Sequence, residues 1–133
     1  MSTNPRQMRL DYTITMPGLL EIKNMFDLSQ ELNTEVLTKV MFTFSNDEIL
    51  SPLALPKKLL HTILNESLEY MEPRATAKQR ALIEVIKNLK TRETFTPTKR
   101  GKLRQMYLDK IRKQDITKIL SKDKRILDWW KNI

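Results

Sequence analysis

Lys99 to Lys113 is the densest charged segment of the chain, and it holds Lys99, Arg100, Lys102, Arg104, Lys110, Arg112 and Lys113 against a single acid, Asp109. Closely spaced phosphates reward several lysines and arginines at once, because each neutralised phosphate releases condensed counterions. On a helix, residues 99, 102, 110 and 113 fall close to one side, away from Leu103, Tyr107 and Ile111. The expectation is an apolar face turned to the core and a cationic ridge turned to something anionic. Tyr107 is the only aromatic in the segment, which gives little basis for a platform stacking several bases. A basic run of this kind also reads as a plainly solvated helix face.

The last eighteen residues carry a second pattern. Ile116 to Trp130 sets a short apolar helix, a turn of a few polar residues and a second helix, with Ile116, Leu120, Leu127 and Trp130 returning to one core. That order is the order of a helix-turn-helix. Trp129-Trp130-Lys131-Asn132 resembles the Trp-Phe-x-Asn run in the recognition helix of homeodomains. The resemblance implies that the tryptophans are core and that Asn132 points at a base. Lys122, Lys124, Arg125 and Lys131 flank the same stretch and join the expected nucleic-acid contacts. An ordinary helical hairpin closed by two tryptophans fits the spacing as well. So does one tryptophan left exposed as an anchor for a partner.

Other chemistry has little to build on. The absence of cysteine removes a disulfide scaffold, a thiolate zinc site and a cysteine nucleophile together. His61 is the only histidine, and a lone histidine on an amphipathic helix is foremost a structural or surface residue. Two glycines offer no phosphate-cradling loop. Glu66, Glu69 and Glu72 share one side of a helix and read as a solvated acidic face or a dock for a basic partner before they read as metal ligands. The seven methionines, with Phe26, Phe42 and Phe44, fit core filling first and an exposed partner groove second.

Charge divides the chain. Residues 1–72 carry six Lys/Arg against ten Asp/Glu, and residues 73–133 carry eighteen against six. Such asymmetry points to different partners for the halves, or to halves that attract each other. The leading expectation is a non-enzymatic nucleic-acid-binding protein, DNA or RNA, acting through its basic helices. The alternative is a helical adaptor or assembly subunit that binds another protein, or itself, through the acidic half or an apolar groove. Neither needs a cofactor, a metal or a small-molecule substrate. No apolar run approaches the ~20 residues of a membrane span, and residues 1–10 are unlike a signal peptide. The expected location is intracellular, in cytoplasm or nucleus.

The elements that must position these residues follow from periodicity and punctuation. A length of 133 residues suits a single compact domain, expected to be all-α with six to eight short helices. Residues 1–16 read as an extended arm, because the strand-like alternation from Arg9 to Met16 has no evident partner. A weakly acidic half over 17–72 and a basic half over 73–133 follow. Helices are expected near 35–44, 57–71, 76–90, 98–112 and 122–131, with shorter ones over 19–26 and 116–120. Asn33-Thr34 reads as the start of the first of these, Ser45 to Glu48 and Thr76 to Gln79 as capping boxes, and Thr96-Pro97 as a helix entry. Leu64, Val85, Ile86, Leu89, Leu103 and Ile111 each sit within an apolar stripe and are expected to be buried.

Overall fold

The structure, a computed structural model, describes residues 9–41 and 49–133, with nothing described for the Arg9 side chain. The fold is mainly α with a small two-stranded sheet. Strand β1 (Arg9–Ile14) pairs in parallel with β2 (Glu35–Val40), in a register that sets Arg9 against Glu35 and Ile14 against Val40. A 3-10 turn over Pro17–Glu21 and helix α1 (Ile22–Leu32) carry the chain between the strands. Helices α2 (Lys57–Met71), α3 (Arg80–Leu89), α4 (Lys99–Arg112), α5 (Ile116–Leu120) and α6 (Lys124–Lys131) complete the order.

Two expectations are overturned together. Arg9 to Ile14 is not a lone arm, and 35–44 does not open as a helix. Glu-Val-Leu-Thr-Lys-Val places Val36 and Val40 four apart, as a helix would, but also puts Val36, Thr38 and Val40 in strict alternation. The β-branched residues favour the strand. The decisive factor is β1, whose Tyr12 and Ile14 face the core from the same side as Val36. Asn33 adopts a left-handed conformation (φ 47°) and ends α1, so the Asn-Thr pair closes one helix instead of opening another. The Ser45 to Glu48 capping box lies outside the described residues.

The remaining helices follow the punctuation. Thr76 and Gln79 form the expected capping box. Gln79 also reaches across the fold, its amide Nε2 donating to Ser29 Oγ at 2.9 Å, and that hydroxyl donates to the Thr34 carbonyl at 2.5 Å. All three residues are buried, so a local cap doubles as the polar tie between α1, β2 and α3. Leu60, Ile63, Leu64 and Met71 of α2 meet Leu82, Ile86 and Leu89 of α3 in one apolar core, which extends from Tyr12 to Trp130. Val85 is only half-buried at its edge.

Candidate nucleic-acid interface

α4 begins two residues later than Thr96-Pro97 suggests. Thr98 is the N-cap, and its Oγ1 accepts from the Gly101 N–H at 3.1 Å. The helix turns Gly101 and Asp109 inward. Asp109 is buried, and its carboxylate accepts from the Gln105 amide and from the Ile116 backbone N–H, both at 2.9 Å. Its carbonyl accepts from the Gln114 N–H at 2.8 Å. The one acid of the basic segment is therefore a structural tie that fixes α4 against the start of α5. Lys113 then leaves the helix in a left-handed conformation (φ 55°).

This seating reverses the expected orientation of the apolar stripe. Leu103, Tyr107 and Ile111 are 54%, 65% and 60% exposed, and Met106 is exposed beside them. Leu103 and Ile111 are thus not core residues. Proximity of Gly101 and the hydrogen-bonding needs of Asp109 select the opposite side of α4, and Trp130 of α6 already fills the core that the stripe would enter. The outward surface consists of two adjacent rows, Lys99-Leu103-Met106-Lys110 and Arg100-Arg104-Tyr107-Ile111. Each row combines two cations with two large apolar side chains.

The structure separates the four lysines expected to form one ridge. Lys99 and Lys110 share an exposed row. Lys102 is half-buried, with its Nζ 5.6 Å from the centre of the Trp130 ring, a distance at which the cation is attracted to the aromatic face. Lys113 lies beyond the last helical turn. Arg104 and Arg112 line a cavity of about 190 Å³ between α4 and Ile49–Leu50.

Several cations nearer the chain end are held within the fold. Arg125 Nη1 and Nη2 engage both Glu66 oxygens, at 2.9 and 2.8 Å, and Nη2 also donates to Asp123 at 2.7 Å. The Arg125 guanidinium holds the Glu66 and Asp123 carboxyls below their usual range, and those partners raise the guanidinium's own value. Lys122 pairs with Glu21 at 3.0 Å. The hydrogen bond from Asn24, followed by that from Lys122, depresses the Glu21 carboxyl. Lys87 pairs with Glu72 at 3.6 Å. The acidic and basic halves therefore do attract each other, and Glu66 and Glu72 dock cations of their own chain. Lys124 and Lys131 remain exposed on α6.

α5 and α6 are joined through residues 121–123, with Asp115 and Asp123 capping the two helices. Ile116, Leu120, Ile126 and Trp130 are buried, while Leu127 and Trp129 are half-buried. Asn132 Nδ2 donates to the Asp128 carbonyl at 2.8 Å, so the amide closes its own helix. His61 is half-buried on α2, and its Nε2 has no hydrogen-bond partner among the described residues.

Sequence reasoning located the cations but missed the exposed apolar rows between them. The signal available was Gly101 and Asp109 on the other side of the wheel: a glycine permits close approach, and a lone acid amid cations can serve as a buried tie. Among the described residues no cluster of three or more His, Asp or Glu is placed to hold a metal ion, and no helix is long and apolar enough to cross a membrane. The chain matches no protein-family model, no curated protein and no solved structure.

Proposed function

We propose that this chain is a nucleic-acid-binding protein, not an enzyme, and that α4 supplies its main contacts. The observation that carries this reading is the outward surface of α4, where Lys99, Arg104 and Lys110 are exposed together while Asp109 is buried on the other side. No other acid lies on α4 itself, and a helix face of this charge is what a phosphate backbone selects. Lys124 and Lys131 are further exposed cations, on α6. Lys122 and Arg125 contribute less, because carboxylates of the acidic half already neutralise them. A helix-turn-helix role for α5 and α6 is a finer version of this reading. It requires Asn132 to exchange its bond to Asp128 for a base edge.

Fluorescence anisotropy with labelled duplex DNA, single-stranded DNA and RNA at two salt concentrations tests the proposal. If Lys99, Arg104 and Lys110 meet phosphates, log K on duplex falls against log salt with a slope of roughly −3. The triple variant Lys99→Gln/Arg104→Gln/Lys110→Gln flattens that slope by about three units and weakens all sequences alike.

The exposed Leu103, Met106, Tyr107 and Ile111 favour a second reading, the adaptor. Phosphates need no such residues, whereas an acidic amphipathic helix would cover them and pair with the flanking cations. Absence of binding to all three nucleic acids at low salt moves this reading into first place.

A further inference from the structure

Tyr107 is the most exposed of the large apolar side chains among the described residues, and it sits at the centre of the outward face of α4. Arg104 and Lys110 stand three positions before and after it, and Leu103 and Ile111 four positions before and after. On a helix these are the separations that make side chains neighbours. The ring therefore has a cation to either side and an aliphatic side chain on the turn above and below. Met106 and Lys99 adjoin Leu103 and continue the face toward the start of the helix. From Leu103 to Ile111 the face runs about 12 Å along the helix axis.

A duplex makes poor use of such a face. It presents phosphates, sugars and hydrogen-bonding base edges, with the thymine methyl as the only apolar group in the major groove. Large apolar side chains set against those edges strip their water and return no hydrogen bond. Unpaired bases differ, because each has a free π-face that packs on aromatic or apolar side chains while its phosphate stays beside a cation. A strand carries both groups at every nucleotide, and α4 holds both kinds of partner within about one turn of Tyr107.

We propose that the ligand of α4 is a single-stranded nucleic acid, held by one base stacked on Tyr107, by its neighbours on Leu103 and Ile111, and by phosphates at Lys99, Arg104 and Lys110. This ligand class rests on the nucleic-acid reading and narrows it to unpaired strands. At about 3.4 Å per charge of one strand, the face accommodates about four nucleotides. Leucine and isoleucine side chains carry no hydrogen-bonding group, so the face takes DNA and RNA strands alike and reads little sequence.

Stacking and charge are separable on this face. The Tyr107 ring carries no charge, so its removal weakens the hold on a base and leaves counterion release as it was. Removal of a cation lowers the number of counterions released and leaves the ring in place. Tyr107 lies outside the core, so its truncation spares the fold.

Fluorescence anisotropy of the full chain at low salt tests it, with labelled oligo-dT, oligo-U, a duplex of equal charge and an abasic deoxyribose-phosphate strand as probes. The expected result is that oligo-dT and oligo-U bind about tenfold tighter than the duplex and the abasic strand. With three phosphates neutralised, log K on oligo-dT falls against log salt with a slope of roughly −2. Tyr107→Ala weakens oligo-dT binding about tenfold and keeps that slope, whereas Tyr107→Phe, which retains the ring, binds as the parent does. Lys99→Gln/Arg104→Gln/Lys110→Gln flattens the slope instead. Circular dichroism confirms that each variant keeps the parent's helical content. A duplex or an abasic strand bound as tightly as oligo-dT overturns the inference and leaves the nucleic-acid reading standing. So does a Tyr107→Ala variant with the parent's affinity for oligo-dT. Failure to bind any of the four probes overturns both and leaves the α4 face to a protein partner.

Discussion

Ile86→Ala and Ile111→Ala make the same chemical change in two apolar stripes that look alike in sequence. Ile86 is fully buried between α2 and β2, while Ile111 is 60% exposed on α4. Truncation at Ile86 removes three carbons from the core. At about 0.8 kcal/mol per buried methylene the transfer loss is roughly 2.4 kcal/mol. The cavity left behind brings the total to about 3–4 kcal/mol, because α3 is pinned by the Thr76 cap and the Gln79–Ser29 bond and cannot collapse onto it. For a chain of 133 residues the unfolding entropy is about 0.3 kcal/mol per kelvin. The melting temperature should therefore fall by roughly 10–13 °C. At Ile111 little burial is lost and alanine is the better helix former, so the change should stay within about 0.5 kcal/mol of zero. Thermal unfolding followed by circular dichroism at 222 nm measures both. A fall at Ile111→Ala comparable to that at Ile86→Ala would refute the outward orientation of the α4 stripe, and with it the surface assigned to binding.

Asp109→Ala removes the acceptor of both the Ile116 N–H and the Gln105 amide, and should cost about 1–3 kcal/mol in chemical denaturation. Trp130→Ala empties the largest buried side chain and should cost about 3–5 kcal/mol, whereas Asn132→Ala, at an exposed helix end, should change stability little. The Glu66–Arg125–Asp123 cluster sets a pH dependence. The two carboxyls are held below their unfolded values by the guanidinium, so their contribution is present above the unfolded pKa values of about 4 and is lost as pH falls through the depressed folded ones. Arg125→Met should accordingly lower the melting temperature at neutral pH, and the gap from the parent should close as the solution is acidified. A gap independent of pH would show that Arg125 acts by packing alone.

How much was legible depended on whether a segment's outcome was decided locally. α3 could be read because its stripe is one-sided and Thr76 and Gln79 cap it from within the same few residues. α2 could be read because its apolar spacing runs unbroken from Leu60 to Met71, between Pro56 and Pro73. β2 could not. Glu35 to Val40 satisfies the helical and the strand period alike, and the choice was made by β1, twenty-six positions earlier in the chain. The mainly helical class was therefore visible, and the sheet was not.

The same division holds at the candidate interface. Sequence alone determined that the second half is strongly basic, that its charge peaks over 99–113 and that this stretch is helical. Only the tertiary structure decided which charges remain outward. Lys122 and Arg125 were drawn to Glu21 and Glu66, residues separated from them by 101 and 59 positions. It also decided which side of α4 meets solvent. An amphipathic pattern shows that two faces differ, but not which of them the rest of the chain has room to bury. Here Trp130 filled the core, Asp109 needed donors, and Gly101 allowed close approach, so the apolar face of α4 was left outside.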